Sequence, residues 1–204
     1  MKHIFLINPA AGSRGRQAEL AGVCRKAALE QNLEYEILVT EHPGHGVELV
    51  RKACLQGGGQ HLRFYACGGD GTLNEVARGA FGMWNVAVGH FPAGTGNDFI
   101  KVFGRQMNRF SHLPELTKGE ELPVDYVETN CGGAVNVLSV GIDARVAAGM
   151  RKYKRLPLCR GQWPYVFSAA ENIVRGLGEG YQVIIDGKSY DGDYSMIFAA
   201  NGRW

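Results

Sequence analysis

The sequence predicts an α/β fold, a doubly wound parallel sheet followed by a β-rich region, and two observations carry that reading. Four short apolar runs, 4–7, 35–39, 62–66 and 86–91, each end in a polar or glycine-rich loop, with helix-spaced segments between them. From Leu122 the pattern shifts to shorter strand-like runs separated by turn residues.

Composition bounds the partners. The 204 residues are 45% hydrophobic, enough for one large domain or two small ones. A formal net charge of +2 provides no broad basic field of the kind that dominates nucleic-acid binding, so nucleic acid is not an expected partner. Cys24, Cys54, Cys67, Cys131 and Cys159 are odd in number, widely spaced and form no Cys-x-x-Cys pair, as expected for reduced thiols in a cytoplasmic protein. The apolar run 4–7 is too short for a signal peptide or a membrane span. The 29 glycines show no collagen-like period and point to tight turns or backbone-lined ligand loops.

Taken in order, 4–7 is all apolar, as a strand buried on both faces would be. It ends at Asn8-Pro9-Ala10-Ala11-Gly12-Ser13-Arg14-Gly15, a loop of phosphate-loop composition without a Walker pattern. Leu20, Val23, Ala27 and Ala28 then recur at helical spacing, and a second strand, 35–39, closes on Thr40, giving a β-α-β unit. Residues 45–56 repeat the helical pattern with Val47, Val50, Ala53 and Cys54 on one side, and Gly57-Gly58-Gly59 stops it.

The third strand, 62–66, runs into Cys67-Gly68-Gly69-Asp70-Gly71-Thr72-Leu73-Asn74-Glu75, which reads as strand, glycine turn and a helix starting near Thr72. Such glycines let a phosphate approach the open amides at a helix N-terminus. Asp70 would repel that phosphate unless magnesium, water or an acceptor hydroxyl lies between them. Asp70 or Thr72 as a simple helix cap is the alternative. The fourth strand, 86–91, ends in Pro92-Ala93-Gly94-Thr95-Gly96-Asn97-Asp98-Phe99. Right-handed crossovers make these strands parallel, so Asn8, Thr40, Asp70 and Thr95 gather at one carboxyl edge, where open α/β sheets bind ligands.

After the charged turn Lys118-Gly119-Glu120-Glu121, strands are expected over 122–129 and 134–140, linked by Cys131-Gly132-Gly133. Helices are expected over 143–153 and 165–177, a hairpin around Asp186-Gly187, and a last strand over 194–200. The predicted domains are therefore 1–121 and 122–204. The basic stretch 145–160, with Arg151, Lys152, Lys154 and Arg155, precedes Trp163, Tyr165 and Phe167. That mixture suits either a solvated helix face or peripheral contact with an anionic membrane at its inner face.

With these loops assembled, the sequence resembles the diacylglycerol-kinase catalytic-domain family, which includes sphingosine and ceramide kinases and bacterial soluble lipid kinases. The carriers are Asn8-Pro9 with Gly12, Thr40-Glu41, Gly68 to Glu75, and Gly94-Thr95-Gly96-Asn97-Asp98-Phe99. NAD kinases resemble it only at Gly-Gly-Asp-Gly. The resemblance implies transfer of the γ-phosphoryl group of ATP to a lipid hydroxyl, with a diacylglycerol-like alcohol as acceptor. It assigns nucleotide binding to Asn8, Pro9, Ala10, Ala11, Gly12, Thr40, Gly69, Asp70, Gly71, Thr72, Leu73, Asn74, Glu75 and Thr95. It assigns magnesium, through water, to Asp70, Asp98 and Asp125, and a catalytic role to Asp70; on the residues alone, Asp98 reads as a helix cap and Asp125 as a strand-end turn residue. Family members continue beyond the equivalent of Trp204 and supply an acidic general base there. The expectation is thus an incomplete, sandwich-like second domain, self-association through its open edge, and either a truncated kinase or a non-catalytic ATP-binding module.

Overall fold

The computed structural model describes residues 1–12, 15–94, 96–130, 132–153 and 163–201. Thr95, Cys131, Lys154, Arg155, Cys159 and Trp204, all named above, lie outside the described residues. Two compact units are present, residues 1–136 together with Asn201, and Val137–Ala200. Residues 122–136 thus fall in the first unit.

In the first unit, strands β1 (Lys2–Ile7), β2 (Glu34–Val39), β3 (Leu62–Gly68) and β4 (Val86–Pro92) form one parallel sheet in the order β2-β1-β3-β4. Helix α1 (Gln17–Glu30) connects β1 to β2, α2 (His45–Gln56) connects β2 to β3, and α3 (Asp70–Ala80) connects β3 to β4. The all-apolar run 4–7 of β1 is explained by its place between two strands and two helical layers. Phe5 and Ile7 pack with Leu20, Cys24, Ala27 and Ala28 of α1, whereas Ile4 and Leu6 pack with Val50 of α2 and Leu73, Val76 and Ala80 of α3. Alternate side chains of one strand therefore serve opposite cores, as the two-residue strand period requires.

Beyond β4 a 3-10 segment, Phe99–Ser111, leads to the short α4 (Leu113–Leu116), whose Leu113 closes the α1-side core. The strand expected over 122–129 is confined to β5 (Val127–Thr129), which pairs antiparallel with β6 (Gly132–Ala134). Pro123 has no amide to donate, and Leu122 and Val124 are exposed, so nothing holds the earlier residues in a ladder.

In the second unit, β7 (Val137–Gly141) pairs antiparallel with β12 (Met196–Ala200). Helices α5 (Ile142–Tyr153) and α6 (Trp163–Arg175) pack together; the Ser168 hydroxyl donates to the Val146 carbonyl at 2.8 Å. The β-rich character takes the form of two-stranded ladders: β8 (Glu179–Tyr181) with β11 (Gly192–Tyr194), and β9 (Ile184–Ile185) with β10 (Lys188–Ser189). Asp186 and Gly187 turn the last of these with φ of 50° and 78°, the two positive values a type I′ turn needs. The strand expected over 194–200 breaks at Ser195. Among the described residues, no helix is long and apolar enough to cross a membrane.

Candidate functional site

The strand order changes direction at β1: the chain leaves it toward β2 on one side and returns to β3 on the other. Crevices form where connections diverge in this way. A cleft of about 440 Å³ opens there, lined by Asn8, Pro9, Ala10, Ala11, Gly12, Thr40, Glu41, His42, Pro43, Gly69, Gly71, Thr72, Glu75 and Gly94. That volume lies within the range of small-molecule sites.

Asn8 fixes the first loop. Its N–H donates to the Cys67 carbonyl at 3.1 Å and its Oδ1 accepts the Ala10 N–H at 2.9 Å. Its side-chain amide donates to Thr72 Oγ1 at 3.0 Å, joining the loop after β1 to the first turn of α3. The buried Thr40 extends the β1–β2 ladder by one rung, its N–H donating to Ile7 O at 2.9 Å.

Helix α3 begins at Asp70, two residues earlier than the pattern suggests. Gly69 occupies the cap position in extended conformation and no side chain caps the helix. Thr72 N–H turns back to Gly69 O at 2.9 Å, which leaves the Asp70 and Gly71 amides at the helix start for other acceptors. Asp70 Oδ1 instead accepts the Phe99 N–H at 3.2 Å, bracing the loop after β4. That loop is closed on itself by Asn97, whose Oδ1 accepts the Gly94 N–H at 3.2 Å and whose Nδ2 donates to Gly94 O at 2.9 Å. The two signature loops meet backbone to backbone: a Cβ on Gly94 would lie 2.4 Å from Gly69 Cα.

Glu75 has a task its sequence context does not reveal. Its two oxygens accept the N–H groups of Gly44 and Gly46, at 2.8 and 2.9 Å, at the N-terminus of α2. A carboxylate there also complements the positive end of the helix dipole. Leu73 belongs to the core, and Asn74 is half-buried, its Oδ1 without a partner among the described residues; neither lines the cleft.

Asp70 and Asp98 converge around Gly96: a Cβ there would lie 3.0 Å from Asp70 Oδ2 and 3.6 Å from Asp98 Oδ2. Asp98 also pairs with Lys101, which raises the lysine pKa. Asp125 is exposed, and its backbone carbonyl accepts the Asn201 side-chain amide. Among the described residues, Asp70, Asp98 and Asp125 do not form a cluster with all ligand atoms within 4.8 Å of one another.

Glu41, His42, Pro43 and Gly94 line the cleft but stand outside the expected binding positions. The available signal for the first three is that they continue the loop opened by Thr40. His90 is a further member of the site's support that no motif marks. Fully buried in β4, it donates from Nε2 to Gly68 O at 3.1 Å, while its Nδ1 has no partner among the described residues. Burial lowers its pKa, against the Gly68 carbonyl and Asp70, which pull it up. The neighbouring Cys67 thiol, hydrogen-bonded to Cys24 and buried, is held well above the usual thiol range and is not a nucleophile.

The fold and cleft define an α/β domain with a ligand crevice at the carboxyl edge of its parallel sheet. The family model of the diacylglycerol kinase catalytic domain matches residues 2–129, and the chain belongs to that family. A Staphylococcus carnosus protein named "Putative lipid kinase" is 29% identical over 150 residues, covering 73% of this chain and 48% of the relative. A Staphylococcus aureus protein of like name, from strain bovine RF122, is 29% identical over 141 residues, 68% of this chain and 45% of its own length. The chain thus spans about half the length of these relatives. A crystal structure of a diacylglycerol kinase from Bacillus anthracis superposes with a TM-score of 0.67 at 23% identity, over all of this chain and 65% of that one. At that identity the likeness shows the α/β fold with its additional small antiparallel strands.

Proposed function

We propose that the chain is the catalytic-domain portion of an ATP-dependent lipid kinase that transfers the γ-phosphoryl group to a lipid hydroxyl, with a diacylglycerol-like alcohol as acceptor. The observation that supports this most is the cleft itself. Loops after β1, β2, β3 and β4 converge on it, and an uncapped helix N-terminus with glycine neighbours forms one wall. Backbone amides so placed suit phosphate oxygens.

In this reading Asn8 to Gly12, Thr40, Gly69, Gly71 and Thr72 hold the nucleotide, and Asn8 orients the first loop against α3. Thr95 would complete the set from the loop that Asn97 closes. Glu75 acts by holding α2 in place. Asp70 and Asp98, converging around Gly96, fit a hydrated magnesium ion, since magnesium takes few carboxylates and keeps several waters. Bound there, magnesium would supply neutralisation of the phosphate charge. Asp125 would join from further away through water. The acceptor, any membrane contact and self-association are proposals of the same standing.

The test is calorimetric titration with ATP, with and without magnesium, together with labelled phosphate transfer to mixed lipid vesicles. Saturable magnesium-dependent binding with transfer supports the full reading; no binding overturns it. Binding without any lipid labelling would select a second reading, a nucleotide-binding module without transfer.

A further inference from the structure

We infer that His42, His45 and Glu48 form a site for a zinc-class divalent cation on the loop between β2 and α2, separate from the Asp70–Asp98 pair. One ligand atom from each residue lies within 4.8 Å of the others, close enough for small side-chain rotations to bring all three onto one ion. Two imidazoles and one carboxylate are a donor set that prefers zinc, nickel or copper to magnesium, which seeks oxygen.

The ring contacts support the assignment. The His42 and His45 rings stack with centroids 4.6 Å apart. His42 Nδ1 lies 3.1 Å from the Pro43 carbonyl, an acceptor only, so Nδ1 carries the proton and Nε2 keeps its lone pair. A carbonyl behind the ring is the usual orienting partner of a metal-bound histidine. His45 Nδ1 presents its lone pair to the Glu41 N–H at 3.1 Å. A cation taking that lone pair displaces an exposed amide, which water then satisfies. His42 and Glu48 are exposed and His45 is half-buried, so rearrangement disturbs no core. With three protein ligands the ion keeps an open position for water or a small anion. His42 and Pro43 line the cleft, so occupancy stiffens one of its walls.

The experiment is calorimetric titration of the 204-residue chain with zinc chloride, thiols kept reduced by a phosphine, beside His42→Gln and Glu48→Gln. Loss of an outer-shell partner typically weakens a metal site 10–100-fold, so each ligand variant is expected to weaken this one by about tenfold or more. Both changes are on exposed side chains, and unchanged melting of the metal-free variants verifies the fold. Failure of wild-type to bind zinc, or unchanged zinc affinity in either variant, overturns the proposal. Neither outcome depends on ATP or lipid, so it stands or falls apart from the kinase reading.

Discussion

Gly94 approaches Gly69 so closely that a Cβ on Gly94 would sit 2.4 Å from the Gly69 Cα and 2.9 Å from its nitrogen. Both contacts are with backbone, which cannot swing aside as a long side chain can. Gly94→Ala is therefore expected to destabilise the fold by about 1–3 kcal/mol, the usual range for overpacking. By spreading the two loops it should also weaken ATP binding by about tenfold or more. Denaturant unfolding and calorimetry on the same variant check both effects.

Glu75 joins two helices that are distant in sequence, accepting two amides of the α2 N-terminus from its place on α3. Glu75→Gln removes the charge and leaves one oxygen to serve both amides. The expected loss is about 1–2 kcal/mol of stability, read as a lower denaturant midpoint with unchanged slope.

For Asp70 the expectation separates charge from structure. Asp70→Asn can still accept the Phe99 amide, so the loop after β4 keeps its brace. Wild-type should bind ATP more tightly with magnesium than without. The variant should show nearly equal affinities in the two conditions, and a retained magnesium effect would remove Asp70 from the metal's surroundings.

His3 and His90 are expected to contribute to the response to acid. Both are buried, and burial lowers each pKa from 6.5, so the folded chain resists protons that the unfolded chain accepts. Their contribution is complete above pH 6.5 and is lost as pH falls toward the folded values. Each can contribute a slope of up to about 1.4 kcal/mol per pH unit in that window. Unfolding free energies from pH 8 to 5 should decline below 6.5, and His90→Asn should flatten the decline.

Much of this was legible in the sequence where a pattern is local. The run 4–7 marks a doubly buried strand, and Asp186-Gly187 marks a hairpin turn, because each signal lies within a few residues. Which core each β1 residue serves was hidden, since Ile4, Phe5, Leu6 and Ile7 are all apolar and either phase of the alternation fits. The role of Glu75 was hidden because its partners lie on another helix. His90 carries no motif; only burial and the Gly68 carbonyl reveal it. Over 122–129 the apolar content suggests a longer strand than Pro123, which has no amide to donate, allows. Topology, applied to four strand ends, groups Asn8, Thr40, Asp70 and Thr95 at one edge; Asn8 and Thr40 line the cleft, Asp70 is not among the lining residues, and Thr95 lies outside the described residues.

The position of β1 also bears on synthesis. It lies between β2 and β3, pairing with 34–39 on one side and 62–67 on the other. β1 consequently stays half-paired until β3 has emerged. Until then a strand with the apolar run 4–7 presents an open edge, the feature that invites mispairing with other nascent chains. Translation pausing before residue 68 would prolong that exposure, whereas pausing after it would let the central pair close.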